Sequence, residues 1–165
     1  MEIDEPKKTA AVLTFGVIFP LFGIFLFSRM IYMGISLQDI FIQFGANFVN
    51  ASFEWLYSIF KGDIVNQIIQ FGILSFTMQP LMSSLLVWVT TGFFIGVIMK
   101  KFKRSLLITL ICIALLLILL IIFAALNNSL SLIFSSDLDK FLGSLLIPVV
   151  LTPLGAFLGG LAGKN

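Results

Sequence analysis

Four long runs without a charged residue constrain this chain more than any other feature. Thr9–Ser28 is 20 residues long, Ile64–Met99 is 36, Ser105–Leu126 is 22 and Phe141–Gly163 is 23. A helix needs roughly 20 apolar residues to cross a ~30 Å hydrocarbon core, so each run is long enough to span a bilayer. Of the 165 residues, 59% are hydrophobic and 11% charged, with a mean hydropathy of +1.13. Soluble chains carry about 25% charged residues, and there is too little polar material here to coat a globule of this size.

The expected fold is all-α: a polytopic integral membrane protein with four transmembrane helices plus outer interfacial amphipathic helices. The predicted spans are about 10–30, 80–99, 105–126 and 141–162, in a single membrane domain covering 1–165, with an interfacial segment at 36–78. The first span is not followed by a small-x-small cleavage site but by "FSRMIYMG", and reads as an uncleaved anchor. The third span, rich in Leu and Ile and without glycine, is expected to face lipid.

The basic residues cluster at span ends. Lys100, Lys101, Lys103 and Arg104 form the short loop "KKFKR", Lys7 and Lys8 precede the first span, and Lys164 follows the last. Placing these segments in the cytoplasm leaves Arg29, Lys61 and Lys140 outside, in keeping with the positive-inside bias. Both termini are therefore expected inside, in the cell membrane. The loop is read first as a topology signal. It could also bind anionic headgroups, at ~1 kcal/mol per basic residue near the surface. A net charge of +2, confined to span ends, offers no nucleic-acid surface.

The stretch after the first span has helical periodicity. Gln43, Asn47, Asn50, Glu54, Ser58 and Lys61 form one polar stripe between two apolar flanks. Ser36 with Asp39 looks like its start and Gly62 its stop. A narrow polar stripe suits an interfacial or re-entrant helix, and Trp55 and Tyr57 fit that depth. A fifth span would push "KKFKR" outside and place Glu54 in hydrocarbon. Unbroken, 64–99 would be ~54 Å long. Pro80 offers a bend, with 64–78 along the outer surface. Two N-x-S sequons, at Asn50 and Asn127, fall on the outer side.

Glycines punctuate two spans. Gly155, Gly159 and Gly163 recur every fourth residue, and "GFFIG" gives Gly92 and Gly96. In lipid no hydrophobic force draws helices together, and close approach at small residues does much of that work. Two readings stand: an interface with another subunit or partner, or packing of spans 2 and 4, as parallel neighbours, on each other. Prolines interrupt the spans as candidate kinks at Pro20, Pro80, Pro148 and Pro153. Broken helices can hold ions or substrate at mid-membrane.

Catalytic chemistry is sparse. There is no histidine, Cys112 stands alone, and no span interior carries Asp or Glu. Ser136 with Asp139 reads as the cap of the last span, and no strand is expected. No catalytic residue, metal site or cofactor is assigned. The expected partners are the bilayer and either further copies of the chain or a larger membrane protein. The expected function is a non-enzymatic structural or assembly subunit, or homo-oligomer, working through the glycine faces. The alternative is a small transporter or channel subunit, motivated by the prolines and by Ser83, Ser84, Thr90, Thr91 and Thr152.

Overall fold

The computed structural model describes residues 5–32, 35–60, 79–134 and 138–163. In chain order it comprises α1 (Glu5–Phe27), β1 (Ile31–Tyr32), β2 (Ile35–Ser36), α2 (Leu37–Ala46), α3 (Phe48–Phe60), α4 (Gln79–Met99), α5 (Phe102–Leu126), α6 (Leu130–Phe134) and α7 (Leu138–Ala162). Four stretches are long and apolar enough to cross a membrane: Glu5–Phe27, Met82–Met99, Phe102–Leu126 and Phe141–Ala162. These are the four expected spans, with α1 beginning at Glu5, ahead of the uncharged run that marked it. One short element was not foreseen. The strands β1 and β2 pair antiparallel, Ile31 with Ser36 and Tyr32 with Ile35. The pairing follows a sharp reversal at the end of α1, where Arg29 and Met30 take φ values of 56° and 68°. That left-handed conformation costs a non-glycine residue about 1–2 kcal/mol.

Side-chain contacts fix the helix directions. Gly16 of α1 meets Ile95 of α4 while Gly23 meets Val87, so these helices are antiparallel. Glu5 pairs with Arg104 while Gly16 meets Cys112, so α1 and α5 are parallel. Phe102 at the start of α5 packs edge-on against Phe157 near the end of α7. The start of α1, the α4–α5 connection and the last turns of α7 therefore share one end of the bundle. The core runs through the middle: Ile24, Phe25, Val87, Trp88, Leu116 and Leu120 are all fully buried.

The helix α5 is not simply a lipid-facing helix. It buries Ser105, Ile108, Thr109, Cys112, Leu116 and Leu120 against its neighbours, and leaves Leu107, Ile118 and Ile122 outward. Its uniform apolarity hides this division, because in a bilayer both faces are apolar. The prolines do not break their helices. α1 runs on through Pro20, and α7 through Pro148 and Pro153. Pro80 is the second described residue of α4, and the bend expected there adjoins residues 64–78, which lie outside the described residues.

The amphipathic segment is two helices. Ser36 caps α2: its Oγ accepts the Asp39 N–H at 3.0 Å, and Asp39 accepts the Ser36 N–H at 3.2 Å. At Asn47 the backbone turns extended (φ −150°, ψ 92°). Its N–H closes α2 onto Gln43, while its Oδ1 accepts the Asn50 N–H at 3.1 Å and opens α3. Asparagine is among the strongest N-caps, and here one residue ends a helix and begins the next. The polar stripe is split as a result. α2 stays at the surface, with only Ile40 buried. α3 instead descends along the bundle. It begins beside the far end of α5, at Phe123 and Asn127, and ends with Phe60 against Trp88. Trp88 lies nine residues into α4, ~13 Å along its axis at 1.5 Å per residue. Lys61, the expected stop at Gly62, the surface stretch 64–78, and Ser136 of the α7 cap lie outside the described residues.

Candidate helix-packing interface and polar groups

The five glycines face one another inside a single chain. A Cβ on Gly92 would fall on the Thr152 carbonyl oxygen, and one on Gly96 on the Ala156 carbonyl oxygen. From the other side, Cβ atoms on Gly155 and Gly159 would meet the carbonyls of Val89 and Phe93, and one on Gly163 that of Val97. Sequence number rises together on both helices, so α4 and α7 run parallel in register. The partner atoms are backbone, which cannot swing aside. The stripes that could have met another subunit are taken up by each other. A glycine costs a helix interior about 1 kcal/mol relative to alanine, and the backbone approach offsets it through dispersion and Cα–H···O contacts.

Two further glycines lie in α1, of which the sequence marked only Gly23, as a companion of Pro20 in "PLFG". Gly16 makes room for Cys112, and Gly23 for Val87 and Phe19. Their spacing of seven, two turns apart on one face of α1, was the available signal. Cys112 is buried, with its Sγ 3.8 Å from the Leu13 carbonyl oxygen.

Most neutral polar groups in the spans bond to their own helix. Thr91 Oγ1 donates to the Val87 carbonyl and Thr152 Oγ1 to Pro148, both at 2.6 Å, and Thr90 donates to Leu86 at 2.5 Å. Ser84 Oγ, Trp88 Nε1 and Thr109 Oγ1 are buried without a hydrogen-bond partner among the described residues. No group of three or more metal-ligating side chains occurs among the described residues.

Between helices the polar contacts are few and specific. The Trp55 indole N–H of α3 donates to the Leu21 carbonyl of α1 at 2.9 Å, and its ring packs edge-on to Phe22 and Phe44. Asn127 Nδ2 donates to Asn50 Oδ1 at 2.9 Å. These are the asparagines of the two sequons, so a glycan on Asn127 would break the bond that ties α3 to α5. Trp55, Leu21, Phe48, Leu119 and Phe123 also line an apolar cleft of about 260 Å³. Trp55→Phe keeps the ring contacts and loses the bond. It is expected to lower stability by about 0.6–1 kcal/mol, the range of interhelical hydrogen bonds in membranes, as read by equilibrium unfolding in mixed micelles.

At one end of the bundle, Arg104 Nη1 pairs with Glu5 Oε2 at 2.5 Å. Lys100, Lys101 and Lys103 around it are exposed. Comparison with known proteins finds no match: no family model, no curated protein and no solved structure resembles the chain.

Proposed function

We propose that the protein is a non-enzymatic, multi-pass membrane protein that serves as a structural or assembly subunit. The single observation behind this reading is the α4–α7 clamp, in which glycine faces meet backbone with no room between them. Such a pair suits a rigid platform better than helices that must part. Association then falls to outward faces rather than to the glycines. We place the Glu5 and Lys100–Arg104 end in the cytoplasm of the cell membrane on the charge bias alone.

The test is the mass of the tagged protein extracted gently from its native membrane, with identification of what co-purifies. A stoichiometric second protein or a defined homo-oligomer is expected. A lone monomer from every mild detergent would contradict the proposal.

A second reading, a small transporter or channel subunit, draws on Ser84, Trp88 and Thr109, whose orphaned groups are of the kind a passing solute or water satisfies. Liposome flux that disappears in Ser84→Ala or Thr109→Val would favour it.

A further inference from the structure

The fold gathers basic residues that lie far apart in sequence. Lys7 and Lys8 open α1, and Lys100, Lys101, Lys103 and Arg104 join α4 to α5. The Glu5–Arg104 pair clasps the two segments together, and their side chains are 67% and 35% exposed. The chain reverses at Lys100, with a φ of 58°. Among the described residues Lys100, Lys101 and Lys103 form no ion pair. Phe102 stands among them, 44% exposed, its ring edge-on to Phe157 at 5.5 Å. Of the acidic residues described at this end, Glu5 is already committed to Arg104.

We infer that this end of the bundle is an anionic-lipid docking surface, built from Lys8, Lys100, Lys101 and Lys103, with the positive charge of Arg104 offset by Glu5. Charge complementarity names the occupant. The cations sit at the ends of three of the four helices long enough to span a bilayer, which is the level of the headgroups. A negatively charged phospholipid surface attracts basic side chains there, and a zwitterionic one does not. The exposed Phe102 ring adds an apolar contact at the boundary, as aromatic residues do at membrane interfaces. Glu5 sets the strength. Removing its charge frees Arg104 and adds one cation to the surface.

The test uses the intact full-length chain in detergent, titrated with phosphatidylglycerol or phosphatidylcholine of identical acyl chains and read by native mass spectrometry. Phosphatidylglycerol should bind preferentially. The triple variant K100Q/K101Q/K103Q should lose about fivefold in affinity per lysine, of order 100-fold in all. E5Q should bind phosphatidylglycerol more tightly than the parent chain, a gain that a purely topological role for these residues does not produce. Equal retention of the two lipids would overturn the inference. So would a triple variant with unchanged preference, or capture of an acidic protein at this surface with no discrimination between the lipids.

Discussion

Gly159→Ala is expected to destabilise the protein by about 1–3 kcal/mol or more, the cost of overpacking a closed contact, although alanine is the better helix former. The added methyl would lie against the Phe93 carbonyl and close to the Val97 nitrogen, both backbone atoms. Relief requires the helices to move apart, which also opens the close contacts of Gly92 with Thr152 and of Gly155 with Val89. Gly160 is the internal control. It is the next residue in the same helix, and a Cβ there meets nothing within 4 Å. Gly160→Ala should be neutral or stabilising by up to about 1 kcal/mol, the helix-propensity difference. Equilibrium unfolding of both variants in mixed micelles decides the matter. A Gly159→Ala protein as stable as the Gly160→Ala one would mean that α4 and α7 do not approach this closely.

Trp88 carries the second large effect. It is fully buried and packs against Phe60 at the end of α3, with ring centroids 5.9 Å apart. Trp88→Ala removes the largest side chain of the core and should cost about 3–5 kcal/mol, as buried aromatic truncations do. Trp88→Phe should behave quite differently. The indole N–H has no partner among the described residues, and a buried unsatisfied donor costs about 1–3 kcal/mol. Replacing it with a ring lacking that donor trades some lost volume against this cost and should come out within about 1 kcal/mol of the parent. The same unfolding measurement separates the two. A Trp88→Phe loss as large as that of Trp88→Ala would show that the indole N–H holds something in the native protein, and would turn attention to the transporter reading.

The sequence carries the spans well, because the 22-residue run Ser105–Leu126 admits few other structures. It also carries the close-packing faces, since glycines four apart can only lie on one side of a helix. It does not carry the identity of the facing surface. Gly155, Gly159 and Gly163 make the same pattern whether they meet Val89, Phe93 and Val97 of the same chain or a neighbour's backbone. Depth is equally hidden. The periodicity of 36–61 reports polarity around an axis, not how far the axis descends, so the insertion of α3 to Trp88 has no signature in it. Asn47 was readable only as a member of the polar stripe. Its capping of both α2 and α3 depends on a side chain folding back on local backbone, which periodicity does not register.

The parallel pairing of α4 and α7 within one chain is the central feature of the fold. Pulsed electron-spin distance measurements test it directly in bilayers, using spin labels on cysteines at outward positions in a Cys112→Ala background. Met82 with Leu146, and Ile98 with Leu161, mark the two ends of the pair, and all four are exposed. The register predicts a short distance for each pair. It predicts a separation longer by roughly 20 Å for Met82 with Leu161, at 1.5 Å per residue along the helix. These distances should persist when labelled protein is diluted with unlabelled. Short distances that vanish on dilution would place the glycine contact between copies of the chain, and a short Met82–Leu161 distance would make the pair antiparallel. Either result contradicts the fold described here.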